Sequence, residues 1–322
     1  MPQPDARLAN FEAQRPRLLR IAYRMLGSFS EAEDAVQEVW LRWMRVEDGV
    51  HTPAAYLTRI VTRLCLDQMK SARARRETYV GSWLPEPLLD ASDPDKGLGE
   101  DIGLTLMLAL ERLSPLERAA FLLHDVFEVP LSEVASTLDR EPASVRQLAV
   151  RARRHVQSER PRYQLDEGEA DRIAQAFFVA SRDGNTADLA SMLAEHVELR
   201  SDGGGRVFAY PNVIRGADRV LRLFAGLTGK PYFDPVLVRT TTIDGLPGYI
   251  SFDRGCPLQT TALDVCDGRI TGIFILRNPD KLGHVAVDLE SGFRDRAQLQ
   301  LAVKHDQGID RRSARAMITC RE

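Results

Sequence analysis

Two stretches of this chain carry basic side chains at helical spacing, a pattern that could hold the phosphates of a nucleic acid. In the first stretch, residues 54–76, an apolar helix face lies beside a basic one. A solvated surface is the default explanation of such charges. Here, however, Asp67 is the only acid, and the dominance of one sign favours contact with DNA phosphates. The basic face consists of Arg59, Arg63, Lys70 and Arg73.

The second stretch follows a short turn between two helical patterns. Residues 131–138 have one apolar face, residues 139–141 form the turn, and Pro142 begins a second helix. This is the layout of helix-turn-helix proteins, in which the second helix enters the major groove. A solvated terminal helix would explain one basic helix alone equally well, but the preceding helix and turn favour DNA. The predicted outward side chains are Ser144, Arg146, Gln147, Val150, Arg151, Arg153 and Arg154.

These outward side chains suit two tasks. Arg146 and Gln147 can form paired hydrogen bonds with guanine or adenine edges, whereas Arg153 and Arg154 are expected to hold phosphates. The net charge of the whole chain is −3. Basic character is therefore local, and the chain should not coat nucleic acid indiscriminately.

A helical frame must position the first basic stretch. Residues 8–70 look entirely helical, with apolar residues three and four apart. Gly27 is predicted to end the first helix. Ser30 is predicted to cap the second, with Glu33 completing a capping box. Pro53 is predicted to open the third helix.

A second helical unit is predicted over residues 103–160. Within it, Ser114 caps a helix that has Pro115 at its first position. Residues 77–101 contain prolines and an excess of acids, which predicts an acidic linker between the helical units. The aromatic segment 79–85 is too apolar for a linker that is fully exposed to solvent, so we expect part of the linker to dock on another surface.

After Pro161 the pattern becomes that of a helix-then-sheet α+β domain. Helices are predicted over residues 170–180 and 186–193, and a loose tail from Ser291. Gly268 after Asp267 is a hairpin signal. The predicted strands are residues 197–200, 235–240, 249–252, 261–265 and 270–276.

The composition excludes several classes of protein. An apolar fraction of 44% excludes a largely disordered chain. None of the four cysteines has a CxxC spacing, and no histidine pair completes a zinc site, so neither a metal nor a cofactor is expected. No apolar signal core or membrane-length run occurs, which predicts a cytoplasmic protein with no membrane partner.

Three segments resemble parts of bacterial RNA polymerase sigma factors of the extracytoplasmic-function (ECF) class. Residues 31–42 resemble that family's polymerase-binding helix, residues 55–64 its −10-reading helix, and residues 133–154 its −35-reading unit. The resemblance implies an alternative sigma factor of the stress-response kind. Its partners would be core RNA polymerase and promoter DNA, which it would bring together to start transcription. The residues implied for polymerase contact are Glu31, Asp34, Glu38 and Arg42.

The remainder resembles the SnoaL-like branch of the NTF2-like fold, and residues 79–87, 202–206 and 278–282 resemble the sigma-J-like group that carries this extension. The implied fold is multidomain, with two all-α helical domains, the second containing the helix-turn-helix, followed by an α+β NTF2-like (SnoaL-like) domain. The implied boundaries are residues 1–78, a linker 79–102, residues 103–162 and 168–290, and a tail 291–322. Residues expected to regulate between domains are Trp83, Asp202, Gly203, Gly204, Gly205 and Arg206.

The glycine-rich segment 202–206 is expected to pack on the first helical domain or on the linker segment 79–87, because glycine lets two backbones approach closely. Arg206 can then pair with a linker carboxylate such as Glu86. Contacts of this kind would let the extension control the sigma half in cis.

Three functions compete. The chain is a sigma factor regulated in cis by its extension, a DNA-binding protein whose C-terminal domain is a small-molecule sensor or an isomerase- or cyclase-like enzyme, or a ligand-sensing repressor. A repressor leaves the acidic polymerase-binding segment unexplained. An enzyme needs a general base in its pocket. The candidates are Asp202, His196, Asp264 and Tyr249. We expect a regulator without catalytic residues, monomeric when free, with room for an unidentified small ligand in the C-terminal pocket.

Overall fold

The computed structural model describes residues 4–46, 50–77, 79, 81–89, 103–157, 166–230, 233–252 and 258–292. Contacts within the chain divide it into two units. The first comprises Met1–Thr78 and Asp95–Arg160, and the second Tyr79–Pro94 and Pro161–Glu322. The aromatic part of the linker therefore belongs to the second unit. The rest of the predicted linker up to residue 102, and the predicted tail beyond residue 292, lie outside the described residues.

The first unit begins with the helices α1 (Pro4–Leu26), α2 (Phe29–Met44) and α3 (Pro53–Glu77). α1 ends because Gly27 adopts a left-handed conformation with a φ of 72°, and its amide donates to the Tyr23 carbonyl. Pro53 is the first residue of α3, as predicted. The apolar stripes of the three helices bury side chains such as Leu18, Ile21, Val36, Val39, Leu57 and Val61.

The cap of α2 differs from the prediction. Ser28 is the N-cap, with an extended backbone, and its side chain accepts a hydrogen bond from the Glu31 amide at 3.2 Å. The predicted capping box of Ser30 with Glu33 is wrong, because the helix already begins at Phe29 and Ser30 lies inside its first turn. The reason is the position of Gly27, which ends α1 immediately before Ser28.

The first unit continues with α4 (Leu104–Glu111), α5 (Pro115–Phe121), one π-helical turn (Leu122–Val126), α6 (Leu131–Leu138) and α7 (Pro142–Gln157). The predicted cap of α5 is confirmed. The Ser114 side chain accepts from the Glu117 amide at 3.3 Å, and the Glu117 carboxylate accepts from the Ser114 amide at 3.1 Å.

Arg118 on α5 links the two sets of helices inside this unit. Its side chain is only 1% exposed, and its Nε donates to the Arg24 carbonyl of α1 at 2.9 Å. Its Nη1 donates to the Glu111 carboxylate of α4. Nearby, the Arg24 guanidinium lies 5.3 Å from the centre of the Phe127 ring. Because a buried guanidinium is tolerated only when it is paired, Arg118 fixes α1, α4 and α5 against one another.

The second unit is a helix-then-sheet domain. Its six-stranded sheet has the order β2-β1-β6-β5-β4-β3, in which β1 and β6 are parallel and every other pair is antiparallel. The elements in chain order are α8 (Glu167–Asp183), α9 (Thr186–Met192), β1 (Leu193–Asp202), β2 (Ile214–Arg215), α10 (Ala217–Leu227), β3 (Val236–Ile243), β4 (Leu246–Phe252), β5 (Leu258–Cys266), β6 (Arg269–Leu276) and α11 (Pro279–Gly292).

Two hairpins set the register of the sheet. Asp267 and Gly268 join β5 to β6 with φ values of 51° and 70°, which confirms the predicted turn. Asp244 and Gly245 join β3 to β4 in the same way, with φ values of 48° and 74°. α8 packs on β4, where the Phe178 and Tyr249 rings meet edge to face.

Three elements were not predicted. β2 is only two residues long, too short for a visible alternation of apolar and polar residues. α10 follows Gly216 and has no side-chain cap, so it lacks the usual sequence signal for the start of a helix. α11 begins at Pro279, where the sequence was interpreted only as a motif. All five predicted strands are confirmed, although each is longer than predicted.

Arg118→Ala should destabilise the first unit by about 3 kcal/mol or more, because it removes the buried donors that Arg118 supplies to the Arg24 carbonyl and to Glu111. Urea unfolding followed by far-ultraviolet circular dichroism measures this change. Arg140→Ala, at an exposed arginine of the α6–α7 turn, should change the free energy of unfolding by less than about 0.5 kcal/mol. Equal effects of the two substitutions would contradict the linking role of Arg118.

Candidate functional site

The outer face of α2 carries the predicted polymerase-binding residues. Asp34 is exposed, and Glu31 is half-buried in the first turn. Glu38 accepts a hydrogen bond from Arg42 Nε at 2.8 Å, and both side chains are about half exposed. The four side chains belong to one helix that is fixed underneath by its buried apolar stripe, so they form a rigid, largely acidic surface.

Two apolar side chains on α2 were missed by the sequence analysis. Leu41 and Met44 are 45% and 42% exposed. Leu41 follows Asp34 by seven residues, a spacing that returns to the same helix face and could have identified it. Large apolar side chains surrounded by polar ones are typical of protein–protein contacts.

The basic face of α3 is exposed but partly engaged within the protein. Arg59 and Arg63 are both exposed, and Arg63 Nε donates to the Thr137 carbonyl of α6 at 3.4 Å. Lys70 forms an exposed ion pair with Asp67 at 2.8 Å, the one acid in this stretch. Arg73 lies on α3, but its side chain is outside the described residues.

The helix-turn-helix consists of α6, a three-residue turn and α7. Asp139 ends α6 in the left-handed conformation (φ 54°, ψ 54°), which aspartate enters more readily than most residues. Val145, Leu148, Ala152 and Val156 are buried on the inner face of α7, as predicted. The exposed outer face carries Ser144, Arg146, Gln147, Val150, Arg151 and Arg154, with Arg153 half-buried.

Two arginines of α7 are tied to the preceding helices. Arg151 lies 3.2 Å from the Glu117 carboxylate of α5, and Arg153 lies 2.5 Å from Asp125. Burial opposes ionisation of Glu117, but hydrogen bonds from Ser114 and the charge of Arg151 outweigh it and lower the pKa of Glu117. Among the described residues, Arg146 and Arg154 have no ion-pair partner.

The linker segment 81–89, together with Tyr79, binds the second unit through one buried carboxylate; we call this segment the strap. Asp202, at the end of β1, has no exposed surface. Its Oδ1 accepts from the Tyr79 hydroxyl at 2.6 Å and the Gly204 amide at 3.0 Å. Its Oδ2 accepts from the Leu84 amide at 2.9 Å and Lys281 Nζ at 2.8 Å. Burial, and then the hydrogen bond to Asp202, raise the pKa of Tyr79.

Lys281 on α11 connects this carboxylate to the aromatic part of the strap. Its Nζ also donates to the Leu84 carbonyl and lies 4.3 Å from the centre of the Trp83 ring. Such a cation–π contact is stronger when the ammonium is withdrawn from water, and Lys281 is 9% exposed. Further along the strap, His284 Nε2 contacts the Pro87 carbonyl at 2.6 Å.

The glycines after Asp202 are needed where they stand. Gly204 and Gly205 have φ values of 62° and 70°, which favour glycine. A Cβ on Gly204 would overlap the side chain of Asn278, which donates to the Tyr79 hydroxyl at 3.0 Å. A Cβ on Gly203 would overlap the backbone of Val207.

The predicted partner of Arg206 is wrong. Its Nε lies 3.3 Å from the Asp280 carboxylate at the start of α11, and Glu86 is buried elsewhere in the strap. Both side chains of the Arg206–Asp280 pair are more than 60% exposed, so the pair adds little stability.

A cavity of about 530 Å³ opens in the second unit, on the inner face of the sheet. Of the four candidate bases only Tyr249 lines it, and burial raises the pKa of that phenol to about 12. Asp202 is bound to the strap and His196 is exposed on β1. Asp264 is half-buried, and burial raises its pKa, but it does not line the cavity. The described lining residues include no Asp, Glu or His.

Comparison with known proteins agrees with both parts of the chain. Residues 11–75 match the Sigma-70 region 2 family and residues 104–156 the Sigma-70 region 4 family. The chain is 37% identical over 291 residues to the ECF RNA polymerase sigma factor SigJ of Mycobacterium tuberculosis, covering 85% of this chain and 92% of that protein. It belongs to the ECF sigma factor family.

Two further relatives extend over most of the chain. A probable ECF sigma factor, SigI of Mycobacterium tuberculosis, is 32% identical over 298 residues, covering 91% of this chain and all of that protein. The crystal structure of SigJ superposes with a TM-score of 0.69 at 34% identity and covers 86% of this chain and 98% of the other. The predicted family and fold are therefore confirmed, and the extension is shared with a sigma factor of known structure.

Within this ECF sigma factor, region 2 corresponds to α1–α3 and region 4 to α4–α7. In the part of the chain that the structure describes, no cluster of three His, Cys, Asp or Glu side chains could bind a metal ion. Within the same residues, every helix is too short or too polar to cross a membrane.

Gly204→Trp should release the strap, because the new side chain meets Asn278 at a backbone conformation that only glycine adopts easily. Chymotrypsin cleavage after Tyr79 or Trp83 should then accelerate by roughly tenfold. Gly226→Trp is the matched control, since a Cβ at Gly226 meets nothing within 4 Å. Asp202→Asn, which keeps the side-chain shape, should expose the same sites. Unchanged cleavage in both variants, with the sheet domain still folded, would rule out the strap contacts.

Proposed function

We propose which of the residues described above contact the polymerase, the promoter and the C-terminal domain in this ECF sigma factor. The family binds core RNA polymerase and directs it to promoters. In this chain α2 would contact the polymerase, α3 the −10 element and α7 the −35 element, with domains over residues 1–78, 103–162 and 168–290. The C-terminal domain would regulate this activity in cis through the strap, residues 79–102 serving as the linker. Because polymerase is its partner, we expect the protein to act in the cytoplasm.

The polymerase contact is supported by the mixed surface of α2. Its exposed carboxylates, led by Asp34, would supply charge complementarity to a basic surface. Leu41 and Met44 would supply the apolar contact area that charge alone lacks. Glu38 is paired with Arg42 in the free chain, and because the pair is exposed it would cost little to rearrange on binding.

The proposed DNA contacts are supported by differences in exposure and ion pairing among the basic side chains. Arg146 and Gln147 are exposed at the start of α7, the end that meets base edges in helix-turn-helix proteins. Arg151 and Arg153 are held by acids of their own domain, so they would orient α7 as well as approach phosphates. Arg63 donates through Nε to Thr137, which orients its guanidinium and leaves the terminal nitrogens for contact with DNA.

The proposed regulation rests on one observation: donors from the strap, Tyr79 and Leu84, converge on the buried Asp202 carboxylate. The strap is also the connection between region 2 and region 4, so the state of the C-terminal domain determines how much of that connection is free. Regulation would therefore act on the ability of the two DNA-contacting regions to separate along a promoter. Trp83, Asp202 and the three following glycines would form the regulatory contact, with Arg206 at its margin.

A regulatory domain is better supported than an enzyme. A general base must lie in the cavity and change protonation near neutral pH. Tyr249 lines the cavity, but its raised pKa keeps the phenol protonated at neutral pH. We therefore infer that the domain is not catalytic.

Run-off transcription with purified core polymerase tests the regulatory proposal. The full chain, Asp202→Asn and the control Gly226→Trp are compared on one promoter. Releasing the strap by Asp202→Asn should change the amount of transcript by several-fold, whereas the control should match the full chain. A chain ending near Gly168 shows whether the domain also contributes positively. If Asp202→Asn makes the strap accessible to protease but leaves transcription unaltered, the C-terminal domain does not regulate transcription through the strap.

Replacing Asp34 and Glu38 together with Lys should weaken binding to core polymerase by about tenfold, since both side chains face solvent and the substitutions reverse the charge of the surface. Fluorescence anisotropy of a labelled chain titrated with core polymerase measures this. Glu12→Lys, an exposed charge reversal on α1, is the control. Undiminished affinity of the double variant would count against α2 as the contact.

Arg146→Ala should cost about 1–3 kcal/mol at one base pair of the −35 element and relax the preference there. Arg154→Ala should instead weaken binding to all promoter variants and reduce the salt dependence by about one counterion. Competition binding of holoenzyme to a promoter library measures both. A uniform loss for Arg146→Ala would reassign that side chain to phosphate contact.

A further inference from the structure

The cavity of the second unit lies between the inner face of the sheet and the helices that cover it. Its volume of about 530 Å³ is in the range of small-molecule sites. Phe178 of α8 and Phe224 of α10 line the helical wall. Ile275 of β6 and Tyr249 of β4 line the sheet wall. Large apolar side chains thus line both walls, which favours a ligand whose body is apolar.

The register of the sheet fixes the length of this cavity. Ser201 on β1 lies beside Ile275 on β6, and Ile275 lies beside Thr261 on β5. Thr261 in turn lies beside Tyr249 on β4. Ser251 follows Tyr249 by two residues and therefore shares its face of β4, and both serines line the cavity. Because β1 and β4 are three strand spacings of about 4.8 Å apart, the two serines are separated by about 14 Å across the strands.

Uncharged polar atoms stand at both ends of this span. Ser201 and Ser251 are 2% and 1% exposed, and neither side chain is hydrogen-bonded to any residue that the structure describes. Gln259, the neighbour of Ser251 on β5, also lines the cavity. Its Nε2 donates to the Thr261 hydroxyl at 3.1 Å, while its Oε1 accepts from none of the described residues. Buried polar atoms are normally hydrogen-bonded, so these groups are suited to a ligand.

The remaining polar side chains of the lining are engaged within the protein. Ser181 donates to the Phe178 carbonyl at 2.9 Å, and Tyr249 is hydrogen-bonded by Thr261 and Ser181. Arg277 also lines the cavity, but its Nη1 donates to the Phe208 carbonyl at 3.3 Å, and the side chain has further interactions within the chain. The described lining residues include no Asp, Glu or His, so a cation would find no acid there. This lining favours an uncharged ligand.

We propose that this cavity binds an uncharged, elongated molecule that has an apolar body and a hydroxyl or carbonyl group at each end. One end group is hydrogen-bonded to Ser201, and the other to Ser251 and Gln259. The apolar body lies over Ile275 and Tyr249, between the sheet and the helical wall. This site stands on the cavity itself and does not depend on the regulatory role of the strap.

Isothermal titration calorimetry of the full chain with 4,4′-biphenol, a rigid uncharged molecule with a hydroxyl at each end, tests the site. We expect one saturable site. The related 4-phenylphenol lacks one of the two hydroxyls and should bind about tenfold more weakly. The anion 4′-hydroxybiphenyl-4-carboxylate has a charged group at one end and should also bind about tenfold more weakly, because its carboxylate would lose water without gaining a counter-charge.

Ser201→Ala removes the polar group at one end of the site and leaves Ser251 and Gln259 at the other. It should weaken 4,4′-biphenol about tenfold and bring its affinity within about twofold of that of 4-phenylphenol, which needs only one end. Binding of 4-phenylphenol itself should stay within about twofold. Ser191→Ala, at an exposed serine of α9 outside the cavity, is the matched control and should change neither ligand.

A second variant keeps the test decisive if Ser201→Ala lowers the unfolding midpoint. Leu223→Trp narrows the helical wall of the cavity and should weaken both phenols together. The proposal fails if 4,4′-biphenol gives no saturable binding, or if it binds Leu223→Trp as it binds the unmodified chain. Equal affinity of the two phenols for the unmodified chain would overturn the two-ended ligand. Tighter binding of the carboxylate than of 4,4′-biphenol would overturn the uncharged class. None of these measurements involves polymerase, so they stand apart from the transcription test.

Discussion

A buried carboxylate whose bonds come from three parts of the chain is the constraint on which the second unit depends. Asp202 has no exposed surface and accepts hydrogen bonds from Tyr79, Leu84, Gly204 and Lys281. Removing a carboxylate from water costs several kcal/mol unless such bonds compensate. The strap, the glycine segment and α11 must therefore all be in place together, and losing one weakens the other two. The strap is thus held cooperatively and specifically.

This constraint also affects regions 2 and 4, because the strap is part of the chain that connects them. Tyr79 follows the last residue of α3 by two positions, so the strap begins almost where region 2 ends. A residue of a free chain can span at most about 3.3–3.6 Å. Residues that are bound in the strap cannot extend in this way, so only the remaining linker residues can lengthen the connection between α3 and α4. Inside the first unit, Arg118 and the Arg63–Thr137 hydrogen bond hold regions 2 and 4 together as well. If the two regions were to separate on a promoter, both the strap contacts and the contacts inside the first unit would resist it.

Local signals made most of the fold predictable, while long-range contacts did not follow from the sequence. Apolar periodicity predicted α1–α3 and the buried face of α7, and the Asp267–Gly268 pair predicted a hairpin, because each depends on neighbouring residues. The cap of α2 was misassigned by two residues, since either serine has a suitable side chain and only the position of Gly27 decides between them. The partners of Arg63, Arg151 and Arg206 lie on other elements, so no spacing in the sequence could reveal them.

The cavity and the strap contact share the ends of β1 and β6, so the two sites would be linked if occupation of one changed the free energy of the other. A molecule that enters the cavity shifts the strap only by the difference between its affinities for the docked and released states. The Arg277 and Asn278 amides both donate to the Asp202 carbonyl, so the cavity lining and the strap contact share one hydrogen-bonded segment of backbone. By the same linkage, a partner that released the strap would change the affinity of the cavity by an equal factor. Under the proposed regulation, the Asp202 contact is the place at which both effects would act on the strap.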